Sequence, residues 1–413
     1  MFGARCPIYA SCRERSAPAG SPYNRVVPVG LGIERLVDST ALAGQRVGLV
    51  CNPASVDRDL RHAADRLIAH PHARLTALFG PQHGFRSDVQ DNMVETGHAQ
   101  DGLRRVPVYS LYSETREPTA AMLRDVDVLI VDLQDIGSRI YTFVYTMANC
   151  LVAARRHGVK VIVCDRPNPL GGLAVEGPVL EPGFESFVGL YPMPMRHGMT
   201  IGELARLFNE HFGIGADLHV VAMDGWRRSM YYDLTGLPWV MPSPNIPTLD
   251  TAIVYPGSVL FEGTNLSEGR GTTRPFELLG APWVVAEHFA GEMNRLSLPG
   301  VRFRPAVFEP TFQKHAGVAC GGCQIHVLDR EAYRPVATAV SLLSAFLACD
   351  PRRFRWRDPP YEYEREKLPI DILAGSSALR AAIDRGTPAA EIASSWERDV
   401  REFEQVRQKY LLY

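Results

Sequence analysis

Residues 127–165 read DVLIVDLQDIGSRIYTFVYTMANCLVAARRHGVKVIVCD. The run DVLIVDLQD (127–135) opens with four aliphatic residues, Val128 to Val131, between acids, the pattern of a strand buried on both faces. Residues 141–158 carry apolar side chains at helical spacing, with Arg155, Arg156 and His157 in the last turn and Gly158 as the stop. VKVIVCD (159–165) is a second buried strand. Strand, helix and strand in this order predict a right-handed βαβ unit of a parallel sheet.

The alternation continues outward. Towards the N-terminus, RVGLVC (46–51), ARLTALF (73–79) and PVYSLY (107–112) predict strands, and DLRHAADRLIAH (59–70) has helical spacing. PTAAMLRDV places Pro118 at a first helical position. Towards the C-terminus, TIGELARLFNEHFG (200–213) predicts a helix with a Thr200–Glu203 capping box, and DLHVVAM (217–223) a further strand. Residues 224–280 are dense in Pro, Gly, Ser, Thr and Asn and predict long functional loops. After about 285 the pattern changes. VRFRPAVF and CQIHVLD predict strands, 335–348 an apolar helix and 389–411 one long terminal helix. The expected fold is α/β, a Rossmann-like parallel-sheet domain over 29–285 with a smaller α+β domain over 286–413. Residues 1–28, rich in Pro, Ser, Gly and Arg, are expected to be a flexible leader.

The 413-residue chain is too long for one small core. Its 46% apolar and 22% charged residues are ordinary for a soluble protein. A formal net charge of −2 without a basic run argues against nucleic acid or an anionic membrane as partner. No apolar run approaches the roughly 20 residues of a membrane span, and the N-terminal stretch lacks the apolar segment of an export signal. The eight cysteines, at 6, 12, 51, 150, 164, 320, 323 and 349, form no disulfide framework. A cytoplasmic location is expected. Oligomeric state is left open.

Ligands of open parallel sheets bind beyond the carboxyl ends of the strands. Asn52 follows the first predicted strand, and Gln82, His83 and Gly84 follow the second. Asp132, Gln134, Asp135 and Arg139 follow the next buried strand, and Asp165, Arg166 and Asn168 the last. CNPASVD after the first strand is no G-x-G-x-x-G, and no Walker lysine is present, so no nucleotide cofactor is expected. His315, Cys320, Cys323 and His326 lie in KHAGVACGGCQIH, but buried cysteines and incidental histidines explain them better than a zinc site, and no metal is expected. Glu262, Asn265, Glu268 and Arg270 share a loop whose glycines allow close approach to a ligand.

The segments FGPQHGF, DVLIVDLQDIGSRIYTFVYTM, VIVCDRPNPLGG, SFVGLYPMPMRHGMTIGELA, PWVMPSPNIPT and YPGSVLFEGTNLSEGRGTTRPFELLGAPW, in this order, resemble the bacterial exo-β-N-acetylmuramidases, over about 30–413. The resemblance implies a cell-wall-recycling glycoside hydrolase that removes N-acetylmuramic acid from the non-reducing end of saccharides or muropeptides. It implies a cleft between a Rossmann-like domain and a smaller C-terminal one, and no cofactor. Two rivals are a non-catalytic binder of the same sugars and a hydrolase of another amino sugar.

One departure stands out. Many relatives read P-E-H-G where this chain has Pro81-Gln82-His83-Gly84, and that Glu is the favoured catalytic residue. A Gln amide transfers no proton at neutral pH. Glu95, in the same loop system, is the expected replacement acid, with the substrate's own acetamido group, oriented by Gln82 or Asp135, as the alternative nucleophile. His83 is expected at sugar hydroxyls. Asn52, Asp132, Asn168, His197, Glu262, Asn265 and Glu268 are expected to bind substrate. The lactyl carboxylate requires a cation. Arg139, Arg166, Arg196 and Arg270 are the candidates, with Arg270 or Arg196 favoured and Arg166 expected to pair with Asp165.

Overall fold

The computed structural model describes residues 29–91 and 93–413. The expected leader, with Cys6 and Cys12, lies outside the described residues. Seven strands form the main sheet: β1 (Arg46–Val50), β2 (Arg74–Gly80), β3 (Ala99–Asp101), β4 (Val106–Ser110), β5 (Val128–Val131), β6 (Lys160–Cys164) and, after two short strands, the strand Leu218–Val221. The short pair, β7 (Glu176–Val179) and β8 (Pro194–Arg196), is antiparallel, so Leu218–Val221 is β9. The sheet order is β3-β4-β2-β1-β5-β6-β9, parallel except for β3 at the edge.

Side-chain alternation explains why this sheet must be covered on both faces. Leu129, Val131, Val161 and Val163 enter one core, against the helix Phe143–His157. Val128, Ile130, Ile162 and Cys164 enter the other, with residues of the helices Gly32–Val37 and Ala63–Ile68. The helix Phe143–His157 ends as its sequence dictates, at Gly158 with φ +68°. Thr200 and Glu203 form the capping box in front of the helix Ile201–Arg206.

The second part is built on an antiparallel sheet of order β10-β12-β11: β10 (Leu278–Ala281), β11 (Val301–Phe308) and β12 (Cys320–Val327). Its first strand thus lies ahead of residue 285. Cys320 and Cys323 are buried in β12. The loop-rich middle contains a helix, Leu249–Ser258, that holds Pro256. Gly257 makes its seat possible, since a Cβ there would lie 2.0 Å from the Pro335 carbonyl oxygen of the helix Pro335–Cys349. The expected single terminal helix is two, Ala389–Ser395 and Glu397–Arg407, divided at Trp396, whose indole is buried. The last residues return to the main sheet. Arg407 donates to the carbonyls of Gly172 and Gly198, and the Tyr413 phenol donates to Asp165 Oδ2 at 2.7 Å. Among the described residues no helix is long and apolar enough to cross a membrane.

Candidate active site

The chain runs β1, β2, β4 in one direction across the sheet and then returns to place β5 beside β1. Beyond this reversal lies a cavity of about 450 Å³. The loop after β2 supplies Gln82 and His83, and the segment after β5 supplies Ile140, Tyr141, Thr142 and Phe143. The facing wall comes from later in the chain: Tyr255, Glu262, Arg270, Phe276, Tyr361 and Glu362.

Two carboxylates share the cavity in unlike surroundings. Glu362 is only 4% exposed. Its Oε1 accepts from Gln82 Nε2 at 3.1 Å and its Oε2 from the Tyr112 hydroxyl at 2.9 Å. Thr142 Oγ1 donates to Gln82 Oε1 at 2.7 Å, which turns the amide so that its NH₂ faces Glu362. Burial, with the nearby Glu262 charge, pushes the Glu362 carboxyl up to about 7 against the two hydrogen bonds that pull it down. Glu362 and Tyr363 hold φ of +44° and +72°, left-handed values that cost a non-glycine residue energy.

Glu262 is held instead by a cation. Its Oε1 lies 2.8 Å from Arg270 Nη2, and its Oε2 accepts from the Tyr361 hydroxyl at 2.8 Å. Arg270 Nη1 meets Glu268 Oε1 at 3.0 Å, and Lys314 Nζ meets Glu268 Oε2 at 2.7 Å. Burial alone would raise Glu268, but Lys314 and Arg270 bring it down to about 2. Burial lowers Arg270, and the Glu262 and Glu268 charges outweigh it and raise the guanidinium above its usual range. His83, at φ +70°, bonds the Val89 carbonyl through Nδ1 at 2.8 Å. A carbonyl only accepts, so Nδ1 carries the proton and Nε2 is an acceptor. Burial drives this imidazole down to about 4, so it is neutral at pH 7.

Several residues expected at substrate are placed elsewhere. Arg166 forms a two-pronged pair with Asp132, at 2.6 and 2.8 Å, rather than with Asp165. Asp165 accepts from the Arg166 and Gly202 backbone N–H groups, Thr200 and Tyr413. Asn52 donates to the Pro242 carbonyl and Asn168 to that of Met199. Asp135 Oδ2 accepts from the Gly137 N–H and lies 3.3 Å from His197 Nε2. Arg139 is fully buried, donates to the carbonyls of Leu373 and Ala374, and is pulled by burial down to about 10. Arg196 donates to the Leu170 carbonyl, and Asn265 ties down the backbone of Arg353 and Arg355. These residues hold backbone at the strand ends; none of them lines the cavity. Glu95 does not line it either. Its side chain is half exposed and accepts from the Tyr363 hydroxyl at 3.1 Å. It lines a different cavity, beside β3 and β4.

The sequence reading missed Glu362, with its neighbours Tyr112, Thr142 and Tyr361. A signal was present: PPYEYE (359–364) sets a glutamate between two tyrosines in a short loop before the helix Pro369–Ala374.

Residues 47–250 match the family model described as exo-beta-N-acetylmuramidase NamZ, N-terminal, and residues 253–413 its C-terminal counterpart. A peptidoglycan beta-N-acetylmuramidase NamZ from Bacillus subtilis (strain 168) is 46% identical over 415 aligned residues, covering 100% of this chain and 97% of the relative. Two crystal structures of DUF1343 family proteins from Bacteroides fragilis are similar. The first has a TM-score of 0.85 at 37% identity and covers 94% of this chain and 99% of that one. The second has a TM-score of 0.72 at 28% identity and covers 93% and 99%.

Proposed function

Because the chain belongs to the exo-β-N-acetylmuramidase family, we propose that Glu362 is its general acid and Glu262 its fixed negative charge. The chain is a glycoside hydrolase that releases terminal β-N-acetylmuramic acid from peptidoglycan-derived saccharides. The observation that carries the residue assignment is the contrast between two carboxyl groups in one cavity. Glu362 accepts from two neutral donors, the Gln82 amide and the Tyr112 hydroxyl. Glu262 meets Arg270. Glycoside hydrolysis needs this division, one carboxyl protonated and one ionised.

In this reading the terminal sugar binds at this cavity. Glu362 gives its proton to the departing glycosidic oxygen. Glu262, locked between Arg270 and Tyr361, stabilises the positive charge that develops on the ring. Gln82 does not replace the missing family acid; it holds Glu362 in place. His83 Nε2 accepts from a ring hydroxyl. The lactyl carboxylate is assigned to Arg270, the one of the four candidate arginines that lines the cavity among the described residues, and its buried Nε has no hydrogen-bond partner there. Replacing it with Ala should weaken turnover of the muramide more than that of the uncharged glucosaminide. Equal losses on both would remove the clamp. Six described cysteines are unpaired, which supports the cytoplasm as the setting.

Glu362→Gln and Glu262→Gln should each cost about 10²–10⁴-fold in kcat/KM on a muramyl disaccharide. The active form carries the Glu362 proton, so kcat/KM should fall as pH rises through about 7. Glu362→Gln should abolish that alkaline limb. Wild-type turnover in Glu362→Gln would eliminate it as the acid.

A further inference from the structure

A general acid must touch the oxygen that joins the two sugars, so it stands at the boundary between their subsites. Glu362 occupies such a boundary. It lines the inner cavity and also a second, outer cavity of about 910 Å³, more open to solvent. The outer cavity is lined by Met93, Tyr112, Pro359, Pro360, Tyr363 and Arg365 besides Tyr361 and Glu362. We propose that this outer cavity is the subsite for the leaving sugar, and that Tyr363 is the surface on which that sugar's ring packs. The proposal rests on the reading of Glu362 as the acid.

Tyr363 is built for this position. Its ring and the Glu362 carboxyl both line the outer cavity and both contact Tyr112, so a sugar packed against the ring lies beside the carboxyl. It is 46% exposed, yet it is fixed on several sides. The Arg116 guanidinium lies 3.5 Å from the ring centroid, and the rings of Tyr112 and Phe187 meet it edge-on at 5.9 and 6.3 Å. Its hydroxyl donates to Glu95 at 3.1 Å. An exposed aromatic ring held this firmly has little conformational freedom left to lose when a ligand packs on it. Pyranose rings carry one face of C–H groups that suits such a surface. The ligand class is therefore a hexosamine or similar uncharged sugar, bound through ring packing. Glu95, expected to transfer the proton, instead orients the residue that receives the product.

Two substrates separate the subsites: a β-N-acetylmuramyl hexosamine disaccharide and β-N-acetylmuramyl fluoride. The fluoride presents no ring to the outer cavity, and its leaving group needs no proton. Tyr363→Ala should raise KM for the disaccharide about 10-fold more than for the fluoride. Tyr363→Phe keeps the ring and should recover most of that loss. Equal effects of Tyr363→Ala on both substrates, or a Phe variant as impaired as the Ala variant, would overturn the subsite. The acid reading has its own arm. Glu362→Gln should lose the disaccharide but spare the fluoride, and equal loss on both would sink that assignment whatever Tyr363 does.

Discussion

Two polar layers can be told apart near the carboxyl ends of the main sheet, one at the strand ends and one at the cavity. The lower one contains Asp132, Arg166, Asp165, Asn52 and Asn168, and the upper one Glu262, Glu362, Gln82 and His83. Both are almost wholly buried. In the lower layer charge is met by charge or by several donors at once: Arg166 grips both oxygens of Asp132. In the upper layer the Glu362 carboxyl is bonded by an amide and a phenol, and burial leaves it close to half-protonated at neutral pH. Buried charge is thus common to scaffold and site. Asp165 of the lower layer is also held by neutral donors and pushed by burial up to about 7, so what distinguishes Glu362 is its place at the wall of a cavity.

The comparison can be broken by experiment. Arg166→Ala leaves Asp132 buried without its countercharge and should destabilise the fold by about 3–5 kcal/mol, read by denaturant unfolding. A loss under about 1 kcal/mol would mean that the lower layer is not scaffold. Gln82→Glu acts on the upper layer. It replaces a donor that favours the Glu362 carboxylate with a carboxyl that disfavours it. The alkaline limb of kcat/KM should move upward from about 7, by about one pH unit or roughly 1.4 kcal/mol. A downward move would show that Gln82 does not set the proton affinity of the site. Glu95→Gln should have the smallest effect, less than about 3-fold in kcat, because this exposed carboxylate acts only through Tyr363. A loss of about 100-fold would return Glu95 to the chemistry.

Much of the scaffold was legible because its signals are local. Val128–Val131 and Lys160–Cys164 are strands that periodicity and length identify, and Gly158 and Thr200 announce helix ends within a turn. Failures came where tertiary packing overrides local preference. Pro256 and Gly257 read as a loop, yet they sit in a helix whose close packing against Pro335 only a glycine at 257 permits. Trp396 interrupts a continuous helical pattern with its buried indole. The strand-end rule picked out Gln82 and His83, which line the cavity. It could not tell Asp132, which faces Arg166, from Gln82, which faces the cavity. Glu362 was invisible to it, because a carboxyl in a distant loop gains meaning only from what it folds against. The substrate was legible through family resemblance and not through residue chemistry.

The Gln82–Glu362 contact joins residues 280 positions apart, and Tyr112–Glu362 spans 250. Loops of this length close late and slowly. The main sheet is assembled from βαβ neighbours and can form well before them. Catalytic competence is therefore a clock for the final step of folding. During refolding from denaturant, helical and sheet signals should return first, and turnover should reappear only when the loop bearing Glu362 has docked. A cut that separated the loop after β2 from the 359–363 segment would leave each piece with half of an acid and its holder, and neither with an enzyme.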